Sequence, residues 1–345
     1  MKRTVLITGG LGFVGRALVE RFNALGYRTI CADLNDQPIQ APAFAGVEFI
    51  KLDVRDKAAV IAACKGVDSI IHNASLVHTK HNRVEDVWAV NLDGAKNILA
   101  ACEAHQIPRL VYVSSASVVY EGKDIRGGDE SLPYTTQSQA PYADSKLEAE
   151  KLSLAFSSNV SGKGNTLVCA LRPHVIFGAG DGRLVPAIID KVKKGQLSRQ
   201  VGQREKKWDF TYIDNLVDAI VCCEQKLEPG SPAAGQAYFV TNGEPMPFFE
   251  FAERLIAHWG YPPIKGQVPY WLAYAVASVA EFWDTLKGGT LNAENGLTRF
   301  SIQYMATDHY YSIEKIRRDL GWTPKVSLLD AIKRTAEGVR AAGRI

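Results

Sequence analysis

Short apolar runs alternate with longer amphipathic segments over residues 1–120 of the chain. The runs fit strands of a parallel sheet, which are buried on both faces and therefore lack a polar side. The longer segments carry apolar residues at the three-to-four spacing of a helix. This alternation predicts an α/β fold with a doubly wound parallel sheet covered by helices on both faces. The predicted strands are 5–7, 28–32, 47–52, 69–72, 110–113 and 167–171, and the predicted helices are 13–25, 58–64, 84–103 and 143–156.

Two later segments depart from this alternation. Residues 121–141 are polar and rich in Gly, Ser, Thr and Gln, which predicts a loop. Residues 269–284 are almost wholly apolar and include two tryptophans. Two interpretations of this second segment stay open: a buried helix of a smaller second lobe, or an apolar lid or membrane-surface contact beside a lipophilic substrate site.

The composition is that of an ordinary globular protein of 345 residues, with 46% hydrophobic and 22% charged residues. The net charge of +3 is too small to favour a nucleic-acid partner. The six cysteines show no CxxC spacing, and no histidine or cysteine cluster suggests a metal site. We therefore expect reduced thiols, no metal and a cytoplasmic protein.

A glycine-rich turn, Thr-Gly-Gly-Leu-Gly-Phe-Val-Gly at residues 8–15, joins the first predicted strand to the first predicted helix. Its spaced glycines permit a tight turn, a close approach of backbone to a pyrophosphate, and close packing of the helix on the strand. The helix N-terminus offers free N–H groups and a positive dipole end to phosphates. The turn therefore predicts a dinucleotide site formed by Gly9, Gly12, Phe13, Val14 and Gly15.

Acidic and small residues follow the next predicted strands. Asp33 comes directly after the second strand, where a carboxylate accepts hydrogen bonds from the adenosine ribose hydroxyls and repels a 2′-phosphate. No arginine follows it directly, so Asp33 favours NAD over NADP. Asp53 and Val54 are placed to cover the adenine, with a helix N-cap as the alternative role of Asp53. After the fourth strand, the residues expected against the cofactor are Asn73, Ala74 and Ser75.

Tyr142 and Lys146 stand at positions i and i+4, so they share one helix face. A free tyrosine is a poor base near neutral pH, because its ordinary pKa is about 10. We expect the neighbouring ammonium and the positive nicotinamide of an oxidised cofactor to lower that pKa. Ser115 follows the fifth strand, at the sheet edge where ligands sit, and we expect its hydroxyl to orient the substrate oxygen. The predicted catalytic residues are therefore Ser115, Tyr142 and Lys146.

With these residues the chain resembles the extended short-chain dehydrogenases/reductases over nearly all of its length. The matching landmarks are the glycine turn at 8–15, Asn91, Ser114-Ser115, the Tyr142/Lys146 pair and Arg172-Pro173. The resemblance implies hydride transfer to or from a nicotinamide, with cofactor contacts from Asn91 and Pro173 as well. It also implies a Rossmann domain at 1–173 plus 208–243 and a smaller C-terminal substrate lobe at 174–207 plus 244–345.

Within that superfamily the chain most resembles the 3β-hydroxysteroid dehydrogenase group, which includes the sterol-4α-carboxylate 3-dehydrogenases. This resemblance implies NAD-dependent oxidation of a 3β-hydroxyl on a small lipophilic substrate, with loss of carbon dioxide where the substrate carries a β-carboxylate. The related reductases of long-chain 2-alkyl-3-oxoalkanoates share most of the same motifs, so that alternative stays open. The matching stretches are 71–75, 172–178, 209–215, 237–245 and 320–324.

Two further alternatives are weaker. A nucleotide-sugar 4-epimerase is disfavoured because Val175 stands where such enzymes often carry asparagine. A non-catalytic NAD sensor is disfavoured because the serine, tyrosine and lysine are all present. By resemblance we also expect a homodimer paired through the helices at 84–103 and 143–156, and peripheral membrane contact through residues 269–284.

Overall fold

The fold is built on a seven-stranded sheet flanked by helices. The computed structural model describes residues 2–35, 39–78, 83–137, 140–195, 197, 199–201, 205–286 and 298–345. In those residues the strands β1 to β15 are, in chain order, Thr4–Thr8, Arg28–Asp33, Glu48–Lys51, Ser69–His72, Arg109–Val113, Ile125–Gly128, Leu167–Pro173, Ile176–Phe177, Arg199–Val201, Lys207–Trp208, Thr211–Tyr212, Gln236–Val240, Met246–Pro247, Gly266–Val268 and His309–Tyr311. The α-helices α1 to α13 are Phe13–Ala24, Lys57–Ala63, Val84–Trp88, Gly94–His105, Pro141–Phe156, Ser158–Ser161, Leu184–Lys193, Ile213–Lys226, Phe248–Ala257, Tyr270–Leu286, Arg299–Met305, Glu314–Leu320 and Leu328–Ala341.

The central sheet has the strand order β3-β2-β1-β4-β5-β7-β12, and every neighbouring pair in it is parallel. The order reverses beside β1, because the chain moves outward to β3 and then returns to the other side of β1 as β4. Ligands of doubly wound sheets bind at the carboxyl ends of the strands at such a reversal. The predicted α/β doubly wound fold is confirmed, and the glycine turn follows β1 at this point.

All six predicted strands are present, as β1 to β5 and β7. The sequence pattern does not predict β12, which lies beside β7 at the sheet edge. The predicted loop at 121–141 contains a strand, β6, which pairs with β15 from near the end of the chain. The predicted helix at 84–103 is interrupted by a π-helical turn, Ala89–Asp93, between α3 and α4. Such turns are frequent at functional sites, and this one carries the buried Asn91.

The residues after β7 add helices α9 to α13 and the strands β10, β13 and β15, which form a four-stranded sheet with the earlier strand β6 in the order β13-β10-β15-β6. Their core is continuous with that of the central sheet. Phe210 stacks on Phe251 with ring centroids 4.0 Å apart, and Phe177 meets Phe251 edge-on at 4.9 Å. The division into a cofactor domain and a substrate lobe stays a prediction, and so does the homodimer.

Helix α10 exposes most of its large apolar side chains, and its buried residues are the small Ala273 and Ala277. Trp271 is 70% exposed and Phe282 is 62% exposed. The interpretation of residues 269–284 as a buried helix is therefore wrong, because most of the large apolar side chains are exposed and only Ala273 and Ala277 are buried. Within the described ranges, no helix is long and apolar enough to cross a membrane.

Candidate active site

The glycine turn closes tightly over the end of β1. Gly9 has a φ of +65°, which glycine adopts without strain. A Cβ built on Gly15 would lie 2.0 Å from the Gly9 carbonyl oxygen, so α1 approaches the turn as closely as its backbone permits. Gly12 caps α1 without a side-chain hydrogen bond. The first-turn N–H groups of α1 are therefore left to a ligand, as a phosphate site requires.

Polar side chains tie the ends of β1 and β4 together. The Thr8 hydroxyl accepts hydrogen bonds from the backbone N–H groups of Asn73 at 3.1 Å and Ala74 at 3.0 Å. Asn91 donates to the Leu76 carbonyl oxygen at 3.1 Å and accepts from the Leu76 N–H at 2.8 Å. Asn91 thus holds the loop after β4 in place through the backbone of Leu76. The role predicted for Asn91 from the sequence is instead a direct contact with the cofactor.

The acids that follow β2 and β3 are both engaged by neighbouring groups. Asp33 accepts from the Leu11 N–H at 2.9 Å, which joins it to the glycine turn. Asp53 accepts from Nη2 of Arg55 at 2.6 Å, and this arginine lowers the pKa of the Asp53 carboxyl. The alternative in which Asp53 caps α2 is wrong, because the side chain of Asp56 makes that cap.

These elements border a cavity of about 900 Å³, a size typical of ligand and cofactor sites. The acids after β2 and β3 lie at one end and the predicted catalytic residues at the other, because the strands that carry them lie on opposite sides of β1. Two predicted site residues, Gly15 and Asn91, do not line the cavity. The predicted site residues that line it are Gly9, Gly12, Phe13, Val14, Asp33, Asp53, Val54, Asn73, Ala74, Ser75, Ser115, Tyr142, Lys146 and Pro173.

Helix α5 brings Tyr142 and Lys146 into the same cavity as Ser115. The Ser115 hydroxyl accepts a hydrogen bond from the Ser117 hydroxyl at 2.9 Å, so its own proton can be donated to a substrate oxygen or to the tyrosine. Lys146 is buried, and its ammonium donates to the Val113 carbonyl oxygen at 2.6 Å. The structure therefore brings the three predicted catalytic residues together, and their roles stay predictions.

Burial dominates the acid–base behaviour of these residues. Desolvation raises the pKa of the Tyr142 phenol, while the Ser115 hydroxyl and the Arg183 cation oppose that rise. Desolvation also lowers the pKa of the Lys146 ammonium to about 7, against the attraction of Glu150. Without a cofactor, Lys146 therefore does not lower the pKa of Tyr142 as expected, because burial disfavours the charged form of the lysine itself.

A buried ion pair supports this face of α5. Arg172 donates to Glu150 through Nη2 at 2.6 Å and through Nε at 3.0 Å, and both side chains are buried. The Tyr134 hydroxyl donates to the same carboxylate at 2.8 Å. Glu150 lies one helical turn beyond Lys146, so the cluster fixes the helix face that carries the catalytic residues.

Aromatic and histidine side chains form and support the cavity wall near Tyr142. Tyr120, His174 and Tyr304 line the cavity, and His309 contacts Tyr304 and His174 without lining it. Tyr304 stacks on His309 with ring centroids 4.2 Å apart and meets Tyr120 edge-on at 5.1 Å. His174 and His309 share a hydrogen bond of 2.7 Å, and burial lowers the pKa of both imidazoles, which keeps them neutral near pH 7. These residues come from distant parts of the chain. His174 falls within the matching stretch 172–178, and no local motif marks Tyr120, Tyr304 or His309. Other lining residues that the sequence does not single out are Arg55 and Arg183.

The arrangement defines a class of protein. A glycine turn at a strand reversal, an acid after β2 and a Ser/Tyr/Lys group in one cavity are the site of a dinucleotide-dependent oxidoreductase. The residues also fit such a cofactor, because the buried Ser114 hydroxyl in the cavity wall has no hydrogen-bond partner among the described residues and offers a ligand one hydrogen bond.

Known proteins of similar sequence fall in this class. The profile of the 3-beta hydroxysteroid dehydrogenase/isomerase family matches residues 6–269. The chain is 36% identical over 334 residues to the 2-alkyl-3-oxoalkanoate reductase of Stenotrophomonas maltophilia, covering 96% of this chain and 97% of that one. It is 32% identical over 331 residues to the decarboxylating sterol-4-alpha-carboxylate 3-dehydrogenase of Mus musculus, covering 96% and 89%.

A solved short-chain dehydrogenase/reductase superfamily protein from Agrobacterium tumefaciens, with bound NAD, has a TM-score of 0.72 to this chain. It is 20% identical, with 99% of this chain and 98% of that chain covered, and at this identity the likeness shows the fold alone. The chain belongs to the 3-beta hydroxysteroid dehydrogenase/isomerase family, as its motifs predict. As a member of that family it is an NAD-dependent dehydrogenase.

Proposed function

We propose that the protein oxidises the 3β-hydroxyl of a steroid- or sterol-like substrate with NAD. The observation that carries the proposal is the single cavity in which Ser115, Tyr142 and Lys146 meet the glycine turn and Asp33. The 32% identity to a sterol-4-alpha-carboxylate 3-dehydrogenase supports the substrate class. Asp33 supports NAD over NADP, because a carboxylate at that place repels a 2′-phosphate.

Tyr142 is the general base of the proposed reaction. As a phenolate it takes the proton of the substrate hydroxyl, while Ser115 donates a hydrogen bond to the same oxygen as its carbonyl character develops. NAD, when bound, accepts the hydride and adds a positive charge beside the phenol. Lys146, with a pKa of about 7, can hold or release a proton near neutral pH one helical turn from Tyr142.

A substrate with a carboxylate on the carbon next to the new ketone becomes a β-keto acid. The bond from that carbon to the carboxylate then breaks, its electron pair moves into the ketone carbonyl to form an enolate, and carbon dioxide leaves. A proton taken up at carbon completes the product. We propose this outcome for 4-carboxysterols, as the name of the decarboxylating mouse relative indicates for that enzyme.

A second candidate is the reduction of long-chain 2-alkyl-3-oxoalkanoates by the same residues. The observation in its favour is the 36% identity to the Stenotrophomonas maltophilia reductase over 96% of this chain. In this direction Tyr142 gives its proton to the ketone oxygen as hydride arrives at the carbon. The two candidates share one site and differ in substrate and in direction.

Both candidate substrates are lipophilic, and the exposed face of α10 fits their delivery from a lipid surface. Trp271, Phe282 and Trp283 are 70%, 62% and 56% exposed. Such side chains gain free energy in the interfacial region of a bilayer. We propose peripheral membrane contact through residues 269–284. Flotation with phospholipid vesicles should recover the wild type and lose a Trp271→Ser/Phe282→Ser variant, and equal recovery of both would contradict the contact.

The test of the function follows NADH formation when the purified protein and NAD meet four alcohols. These are a simple 3β-hydroxysteroid, a 4α-carboxysterol, a long-chain 2-alkyl-3-hydroxy acid and a UDP-hexose. Turnover of the sterols, with carbon dioxide released only from the carboxylated one, supports the proposal. Turnover of the acyl substrate alone would favour the reductase. No NADH from any alcohol would contradict both and favour the epimerase, whose net reaction forms no free NADH, or a sensor.

A further inference from the structure

Three cations line the described part of the cavity, namely Arg55, Lys146 and Arg183. Arg55 is paired with Asp53 at the end that follows β3. Lys146 is buried on the catalytic face of α5. The third cation, Arg183, lies in the wall of the same cavity as Tyr142 and has no part in the reaction described so far.

Arg183 stands on the loop before α7, and this loop is firmly held. The two oxygens of the buried Asp181 accept hydrogen bonds from the backbone N–H groups of Arg183 and Val185, each at 2.8 Å. The guanidinium donates to the Val77 carbonyl oxygen at 3.0 Å, on the loop after β4. The side chain therefore bridges two loops that border the cavity, while Arg183 as a residue stays exposed.

The charge of Arg183 acts on the reacting phenol. It opposes the rise in the Tyr142 pKa that burial causes, so the cation and the phenol belong to the same electrostatic environment. A guanidinium presents its N–H donors in a planar fork that matches a carboxylate. Both candidate substrates can carry a carboxylate on the carbon next to the reacting one, which puts that anion beside the oxygen that Tyr142 would deprotonate.

We propose that Arg183 binds the carboxylate of a lipophilic β-hydroxy acid whose hydroxyl is held by Ser115 and Tyr142. The inference rests on the proposed function and deepens it, because it makes the β-hydroxy acid unit the feature that the site selects. That unit is common to 4α-carboxysterols and 2-alkyl-3-hydroxyalkanoates. A cofactor phosphate is the other anion that a guanidinium in this wall could bind, and calorimetry with NAD distinguishes the two.

The experiment compares each acid with its methyl ester, which removes the charge and keeps almost the same shape. The variants are Arg183→Met, which removes the cation, and Arg183→Lys, which keeps a charge without the fork. Arg317→Met is the matched control, because the Arg317 side chain is exposed and does not line the cavity. We expect Arg183→Met to lower kcat/KM for the acid roughly 10- to 100-fold and for the ester less than about threefold. Arg183→Lys should fall between Arg183→Met and the wild type.

Several outcomes would overturn the inference. An equal loss for acid and ester would assign Arg183 a structural role, and unchanged kinetics for the acid would remove any role. Weaker NAD binding by calorimetry, with an unchanged ratio of acid to ester, would assign Arg183 to the cofactor phosphates.

Failure of the proposed function has a different signature, because the wild type would then oxidise neither acid nor ester. Calorimetric binding of the hydroxy acid to the complex of the protein with NADH still decides the inference in that case. Binding that weakens at least about tenfold in Arg183→Met supports a carboxylate site. Equal binding by the wild type and the variant, or no binding by either, contradicts a carboxylate site at Arg183.

Discussion

Lys146 offers a direct test of how burial controls this site, because desolvation lowers its pKa from 10.5 to about 7. Below about pH 7 the folded and unfolded states both carry the proton, and the cost of burying the ammonium is present in full. Between pH 7 and 10.5 the folded protein has released the proton and the unfolded chain still holds it. The free energy of unfolding therefore rises with pH across this interval.

The size of the effect follows from that shift. One proton bound by the unfolded state alone raises the free energy of unfolding by up to about 1.4 kcal/mol per pH unit, or about 2 kcal/mol between pH 7 and pH 9. Lys146→Met keeps the length of the side chain and removes the titrating group. We expect this variant to lack the rise in the free energy of unfolding between pH 7 and pH 9. It should also be at least as stable as the wild type at pH 7, since an apolar side chain replaces a buried charge.

The assay is urea unfolding of the cofactor-free protein at the two pH values, followed by circular dichroism. Subtracting the pH dependence of the variant from that of the wild type cancels the other titrating groups. Lys151→Met is the matched control, because Lys151 is an exposed lysine of the same helix, and it should keep the wild-type pH dependence. An identical pH dependence in Lys146→Met and the wild type would refute the claim that burial depresses the Lys146 pKa.

Three other substitutions test the supports of the site. Gly15→Ala places a methyl group 2.0 Å from a backbone carbonyl oxygen, and in urea titrations it should lower the free energy of unfolding by about 1–3 kcal/mol. The control Gly182→Ala adds a methyl group with nothing within 4 Å, so it should leave the free energy of unfolding almost unchanged. Glu150→Gln removes the counter-charge of the buried Arg172 and should cost roughly 3–5 kcal/mol, so an unchanged Tm would argue against the ion pair. Asp33→Asn removes the carboxylate that repels a 2′-phosphate and should raise kcat/KM for NADP relative to NAD about tenfold, and a constant ratio would show that Asp33 does not set the preference.

The regular part of the fold could be predicted because burial on both faces leaves a continuous apolar run, as in β1, where all five residues of Thr4–Thr8 are buried. Other elements have no comparable pattern in the sequence. β6 is a strand because β15, from near the end of the chain, supplies its partner. The π-helical turn at Ala89–Asp93 keeps a helical pattern of apolar residues, so its extra residue cannot be recognised locally.

The candidate site divides in the same way. Residues fixed by a short motif, such as Gly9 and Tyr142, could be found because the spacing itself encodes the backbone geometry. Arg183 could not, because only the packing of the loop before α7 brings it into the cavity of the catalytic residues. The acid–base properties of Lys146 could not be predicted either, since desolvation depends on the whole tertiary structure around the side chain.

The proposed mechanism depends above all on Tyr142 as the base of a hydride transfer to NAD. The most direct measurement compares NADH formation by the wild type and Tyr142→Phe with the best alcohol of the panel, together with the Kd for NAD by calorimetry. We expect a loss of turnover of roughly 10²- to 10⁴-fold, with a Kd for NAD within about threefold of the wild type. Turnover by Tyr142→Phe close to that of the wild type, with NAD bound normally, would contradict it.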